Sequence, residues 1–323
     1  MKFVGLKKIV DIIKNIDNVY IVGHIMPDGD CISSVLCLAE GLKSMGKKVQ
    51  GFIDWEIPEN LKKLPLVNGI KKFKEGIIKP ENLIVVDCSS PDRIGRFQKF
   101  IRDDVNVIVL DHHATNVYFG NINYVDANAS SVAEIVYEIN KMMNIKYDEK
   151  LATLNLLGIL TDTGFFKYSN TTPLILHIAA ELMKMGADIQ KISFVINENR
   201  KVGNLYLQRE AINNLKFLSR GKLGYSYLTK KDFEKYKIAE NDFDGFVSEI
   251  RAVDTVEVAM FAAQYEDKKA HVSLRSKRYF DVSKIALEYG GGGHSKASGF
   301  TLIYEKSLED ALEGIAKKIG NLL

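Results

Sequence analysis

Four apolar runs in this chain end on groups that bind cations or move protons. "NVYIVG" runs into "HIMPDGD", with His24, Asp28 and Asp30, and "ENLIVV" runs into Asp87. "VNVIVL" ends in Asp111, His112 and His113, and "LNLLGIL" in "TDTG", with Asp162. The chain has six histidines, and two of them stand side by side here. Taken singly, each group has an ordinary structural use. Asp30, just before "CISSVL", suits a helix N-cap, and Asp162 suits a turn. Their sum is harder to accommodate. Carboxylates gathered in one place repel one another and raise one another's pKa, yet the four segments contain no Lys or Arg. Divalent metal ions are the economical counter-charge. Carboxylates and imidazoles without thiolate suit Mn²⁺ best, with Mg²⁺, Co²⁺ or Zn²⁺ as alternatives. The ligands on offer are too many for one ion and enough for two if a carboxylate bridges. A pair of ions about 3.5–4 Å apart is a common device for hydrolysing phosphoesters.

These groups need elements that bring them together. "NVYIVGH", "KKVQGFID", "ENLIVVDCS" and "VNVIVLDHH" read as strands. Their continuous apolar character suits strands buried on both faces, as in a parallel sheet. "CISSVLCLAEGLKSMG", "SSVAEIVYEINKMM", "DEKLATLNLLGILTD" and "TPLILHIAAELMKMG" read as helices, and the first twenty residues as an amphipathic helix leading into a strand. The pattern predicts an α/β fold with a doubly wound, mainly parallel N-terminal sheet, in which ligands collect at the carboxyl ends of strands. Beyond Gly186 a polar-studded helical stretch looks like a connector. From about Gly221 a smaller α/β unit begins, with "KLGYSYLT", "VEVAMFAAQYE", "KAHVSLRS" and "ASGFTLIY" as strands and a final amphipathic helix. The expected division is 1–186, a helical linker at 187–220, and 221–323.

Composition narrows the function. The chain has 323 residues, 46% apolar and 26% charged, with a net charge of +3. That charge is too mild for a long duplex partner. Cys31, Cys37 and Cys88 form an odd set without CxxC spacing, which argues against a disulfide framework and for reduced thiols in the cytoplasm. No apolar run is long enough to span a membrane.

"GGGGHSKASG", from Gly290 to Gly299, is the second informative stretch. Consecutive glycines allow close backbone approach to an anion, although a glycine run also serves as a plain turn. His294 after the run, and Arg275 upstream in "SLRS", favour phosphate binding, since an Arg grips a phosphate bidentately.

The sequence resembles a known family. "GHIMPDGDCISS", "VVDCSSPDRIG", "DHHATN" and "GILTDTGFF" are similar to the four motifs of the DHH phosphoesterases. That superfamily includes single-strand-specific exonucleases, manganese pyrophosphatases, cyclic-dinucleotide phosphodiesterases and nanoRNA/pAp hydrolases. "VSLRSKRYFDVSKIALEYGGGGHSKASGF" resembles the DHHA1 substrate-binding domain. The resemblance runs from about His24 to Phe300. It implies that His24 and Asp28 hold one metal, that Asp30, His112 and Asp162 hold a second, and that Asp87 bridges them at the catalytic centre. The short 24–28–30 spacing agrees, because one strand-to-helix turn can face two ions. His113 points away from its neighbour on an extended segment and would meet the substrate phosphate as donor or general acid. Asp111 would fix an imidazole tautomer from behind. Arg275, Ser276, Gly291, Gly292, Gly293 and His294 would bind a terminal phosphate and the nearby nucleotide. Ser33 departs from the family's D-x-x-G-S pattern, which bears on helix packing more than on chemistry. Arg93 and Arg96 are expected mainly in structural ion pairs, and Asn116 either holds its loop or touches substrate.

The expected activity is two-metal hydrolysis of short 5′-phosphorylated oligonucleotides and linear dinucleotides (nanoRNA, pApA), with pAp as a further substrate. The partners would be short single-stranded RNA, dinucleotides or pAp-like nucleotides, without duplex nucleic acid or membrane, and the chain as monomer or homodimer. The alternatives are a cyclic di-AMP phosphodiesterase, a manganese pyrophosphatase and a non-catalytic nucleotide-binding module.

Overall fold

The computed structural model describes residues 2–76, 79–198, 200–239, 243 and 246–323. The chain divides into two compact units, Met1–Asn199 and Arg200–Leu323.

In the first unit the apolar runs form a parallel sheet. Its strands are β1 (Lys2–Phe3), β2 (Val19–Val22), β3 (Val49–Phe52), β4 (Asn82–Val86), β5 (Asn106–Asp111) and β6 (Ile122–Val125), in the order β1-β6-β5-β4-β2-β3. β1 adds only a two-residue edge to five parallel strands. Both faces of the central strands are buried, and their side chains alternate between two cores. Ile21, Ile84, Val86, Ile108 and Leu110 face one cluster, and Val22, Leu83, Val85, Val107 and Val109 face the other. This explains why these strands read as continuous apolar runs.

The first cluster is closed by α1 (Leu6–Asn15), α2 (Gly29–Ser44), α3 (Val132–Met142), α4 (Glu149–Asp162), α5 (Pro173–Lys184) and α6 (Ile189–Asn197). Among the described residues, the second face carries no long α-helix. It is covered by a 3₁₀ run, Pro91–Phe100, whose Ile94, Phe97 and Phe100 pack with Phe52 and Phe73. Gly95, at φ +57°, breaks that run before a regular helix can propagate. The winding reverses at β2: the chain passes to β3 on one side, then to β4 on the other. At such a reversal the connections leave in opposite directions and open a crevice at the carboxyl ends of the two strands. His24 follows β2, and Asp87 follows β4.

The second unit is a mixed sheet of β7 (Lys216–Leu218), β8 (Leu223–Leu228), β9 (Val258–Glu266), β10 (Lys269–Ser276), β11 (Gly292–His294) and β12 (Ala297–Ile303), in the order β11-β12-β10-β9-β8-β7. α7 (Val202–Asn213), α8 (Lys230–Tyr236) and α9 (Val247–Ala252) cover one face, and α10 (Val282–Glu288) and α11 (Leu308–Gly320) the other. Within 187–220, α6 gives Ile192 and Val195 to the first unit's core, and α7 gives Leu207 and Ala211 to the second's. No helix among the described residues is long and apolar enough to cross a membrane.

Buried Glu257 shapes the turn after β10. One of its carboxylate oxygens accepts from the amides of Arg278, Tyr279 and Phe280 at 3.0, 2.7 and 2.9 Å. Burial opposes its charge, but these amides outweigh burial and hold its carboxyl below the usual range. A depressed folded pKa contributes stability at neutral pH that is lost as pH falls through that pKa. Glu257→Gln is therefore expected to cost about 2 kcal/mol in urea unfolding at pH 7. The gap to wild type should narrow below about pH 4.3, where free Glu protonates. Equal stabilities at pH 7 would contradict this anchoring.

Candidate active site

The first donor group is set by a tight strand-to-helix turn. A Cβ at Gly23 would lie 2.3 Å from Cys31 Sγ, so the chain can pass there only without a side chain. His24 follows. Its Nδ1 lies 2.8 Å from the Ile25 carbonyl oxygen, which can only accept, so Nδ1 carries the proton. Nε2 then faces Asp28 Oδ1 at 3.7 Å and Asp87 Oδ2 at 3.4 Å.

The N-cap of α2 is Asp28, whose Oδ1 accepts from the Cys31 amide at 3.0 Å. This corrects the alternative of Asp30 as that cap. Asp30 lies in the first turn of α2, wholly buried, and its carboxylate meets the start of a different helix. Oδ2 accepts from the Val132 amide at 2.7 Å, and Oδ1 accepts from the Ala133 amide at 2.8 Å and Ser34 Oγ at 3.3 Å. The positive end of α3 thus holds an acid from α2.

Asp87 occupies the middle. Its backbone is left-handed, at φ +59°, an uncommon conformation that a functional site tolerates. Oδ2 faces His24, while Oδ1 lies 3.7 Å from His112 Nε2 and 3.7 Å from His113 Nδ1. Oδ1 is buried and has no hydrogen-bond partner.

The adjacent histidines diverge, their rings inclined at 74°. His112 Nδ1 lies 3.3 Å from the Ala129 carbonyl, and its Nε2 lies 3.2 Å from Asp162 Oδ2. His113 Nδ1 donates to Asp111 Oδ1 at 2.8 Å. Fully buried Asp111 also accepts from the His112 amide at 2.8 Å and from Asn116 Nδ2 at 2.6 Å. Asn116 Nδ2 donates further to the Cys88 carbonyl at 3.0 Å, so Asn116 fixes Asp111 and ties this loop to the one carrying Asp87.

The electrostatics follow. Burial, then the Asp87 and Asp162 charges, push the Asp30 carboxyl well above its ordinary range. Burial also raises Asp162, with Asp28 and Asp87 adding to it against His112. Asp162 is the last residue of α4, where the unpaired carbonyls already give a partial negative charge. Burial opposes charge on His112, but Asp162, Asp87 and Asp30 outweigh it and raise the imidazole well above its usual value. Nearby cations are few. Arg93 Nη2 lies 3.3 Å from His24 Nδ1, and Arg96 pairs with Asp54.

This donor set fits divalent cations. His24, Asp28 and Asp87 bring ligand atoms within 4.8 Å of one another, and so do Asp30, Asp87 and His112. The two groups share Asp87, the residue with an orphaned buried oxygen.

In the second unit, Arg275 and His294 are both in register with Ala297, from β10 and β11 on either side of β12. Directly paired residues share a face, so the two basic side chains flank a small one. The next row on that face is Ser273, Gly299 and Gly292. Arg275 Nη1 donates to the Leu274 carbonyl at 3.0 Å. Buried Ser276 donates from Oγ to the Phe280 carbonyl at 2.7 Å, holding the turn. The glycine run divides by task. Gly290 and Gly291 close α10 through the Leu287 and Ala286 carbonyls, at 3.0 and 2.8 Å, while Gly292 and Gly293 lie in β11. A Cβ at Gly291 would fall 2.1 Å from the Gly299 carbonyl oxygen.

The family model for the DHH family, N-terminal domain, matches residues 18–159, and that for the DHHA1 domain matches residues 221–321. The bifunctional oligoribonuclease and PAP phosphatase NrnA of Thermus thermophilus is 31% identical over 320 residues, covering 97% of this chain and 95% of that protein. The probable protein of that name from Streptococcus mutans is 29% identical, covering 97% of this chain and 99% of its own. The crystal structure of an exopolyphosphatase-related protein from Bacteroides fragilis superposes with a TM-score of 0.87 at 26% identity, covering 98% and 96% of the two chains. The chain belongs to the DHH family of phosphoesterases, with a C-terminal DHHA1 domain.

The close seating of Asp30 is testable. A Cβ at Gly158 in α4 would lie 2.8 Å from both Asp30 Oδ1 and Ser33 Oγ, and 2.6 Å from Ala133 Cβ. Overpacking of about 1–3 kcal/mol should outweigh the helix-propensity gain of about 1 kcal/mol. Gly158→Ala is expected to melt lower than wild type, and a higher melting temperature would contradict the packing.

Proposed function

We propose that this chain is a metal-dependent hydrolase of short 5′-phosphorylated oligonucleotides and linear dinucleotides such as pApA, with pAp as a further substrate. The observation that carries the reading is Asp87, whose two oxygens face different imidazoles in two groups of ligands. The activities named for its near full-length relatives support the substrate class.

In this reading residues 1–186 form the catalytic domain. His24, Asp28 and Asp87 would hold one divalent ion, and Asp30, His112, Asp162 and Asp87 a second, with Mn²⁺ the best match to oxygen and imidazole donors. Such ions, when bound, lower the pKa of water and neutralise phosphoryl charge. Asp111 fixes His113 with Nδ1 as its donor to Asp111, so a protonated Nε2 can give its proton to the leaving oxygen. In residues 221–323, Arg275 and His294 take a terminal phosphate. Gly291, Gly292 and Gly293 keep the backbone low beside it, and Ser276 holds the supporting turn. Three buried free cysteines suit a reducing cytoplasm. A net charge of +3 suits a short single strand over a duplex.

A product time course tests the reading, using 5′-phosphorylated oligomers of two to about ten nucleotides beside pAp, cyclic di-AMP and pyrophosphate. Turnover should favour the shortest strands and pAp, and vanish with chelator. Preference for pyrophosphate or cyclic di-AMP, or no turnover at all, would overturn it. Asp87→Ala should lose most activity, whereas Arg275→Ala should raise KM roughly 10- to 100-fold through a lost charged hydrogen bond. A fall in kcat alone would remove Arg275 from phosphate binding.

A further inference from the structure

We infer that Asn170 is a positioning residue for the ligand group Asp30–His112–Asp162, and that its loss weakens one metal-binding step selectively. This rests on the metal assignment proposed above.

Asn170 lies in the loop between α4 and α5, and its side-chain amide joins two backbones. Nδ2 donates to the Ser130 carbonyl at 2.9 Å and to the Asp162 carbonyl at 3.1 Å. One amide group thus ties the C-terminal residue of α4 to the segment that opens α3. That segment, 129–133, touches the other two ligands. Its Ala129 carbonyl lies 3.3 Å from His112 Nδ1, and its Val132 and Ala133 amides hold the Asp30 carboxylate at 2.7 and 2.8 Å. Asn170 thereby touches Asp162 directly and reaches His112 and Asp30 through a segment of five residues.

The segment is stiff. The Ser131 hydroxyl accepts from the Glu134 amide at 3.1 Å, and Glu134 Oε2 accepts from the Ser130 amide at 2.7 Å. Such a double cap leaves little freedom at the start of α3, so a shift at Ser130 carries on to Ala129 and to the amides that hold Asp30. By contrast, His24 and Asp28 are fixed within the 24–31 turn, by the Ile25 carbonyl and the Cys31 amide. Among the described residues, no hydrogen bond links Asn170 to that turn. The effect of losing its amide should fall on one group.

Neighbouring polar atoms point the same way. Asn170 Oδ1, Ser130 Oγ and Thr171 Oγ1 are buried without hydrogen-bond partners. Buried groups of this kind take a water or an ion as partner, or serve a functional role.

Residues that orient metal ligands from behind typically change metal affinity 10- to 100-fold when removed. The test is Mn²⁺ calorimetry on metal-stripped wild type, Asn170→Ala and the near-isosteric Asn170→Leu, each with its metal-free melting temperature. Wild type is expected to bind two equivalents. Both variants should retain one step unchanged and show the other weakened roughly 10- to 100-fold. Asp162→Ala should impair the same step. Unchanged steps in folded variants, or equal weakening of both, would overturn the inference. If wild type itself binds fewer than two ions, the metal assignment fails first and the inference with it.

Discussion

Everything at the carboxyl edge of the first sheet depends on one electrostatic constraint. Asp30 and Asp87 are buried, Asp28 and Asp162 stand beside them, and two imidazoles lie between. Burial and mutual repulsion raise Asp30 and Asp162, and the same carboxylates raise His112. Removing charges from water in this way is costly unless other charges compensate. The chain supplies partial compensation: the α3 amides and Ser34 Oγ for Asp30, the Cys31 amide for Asp28 and the His112 imidazole for Asp162. Asp87 Oδ1 receives no donor. In the proposed reading, a pair of divalent cations would satisfy these groups together.

The fold makes this concentration tolerable by holding each of these side chains from outside. Carbonyls of Ile25 and Ala129 stand behind His24 and His112, so both rings can turn Nε2 inwards. Asp111 does the same for His113, and Asn116 in turn fixes Asp111. These contacts set tautomer and direction before any ligand arrives, the usual requirement for precise metal geometry. Gly23 and Gly158 belong to the same scheme, since side chains at either would collide with Cys31 or Asp30.

Much of the site was legible in the sequence because parallel strands buried on both faces read as unbroken apolar runs. The abrupt acid or histidine at the end of each run stood out for that reason. The parallel α/β character of the first unit followed from alternating strands and helices, but the strand order and its reversal at β2 did not. What could not be read depends on long-range closure. Asp30 meets amides more than a hundred positions away, which spacing alone cannot reveal. Asn116 and Asn170 look like ordinary loop residues until their partners are placed. β6 escaped because "INYV" is short and half polar, and α8 because seven residues hardly show a period. The glycine run was read as one device, whereas half of it closes α10 and half extends the sheet.

The most direct test of the central claim is the anomalous scattering of manganese in crystals grown with Mn²⁺. Two peaks should flank Asp87, about 3.5–4 Å apart. One should lie within bonding distance of His24 and Asp28, the other of Asp30, His112 and Asp162. A single peak, or peaks that leave Asp87 untouched, would contradict the account.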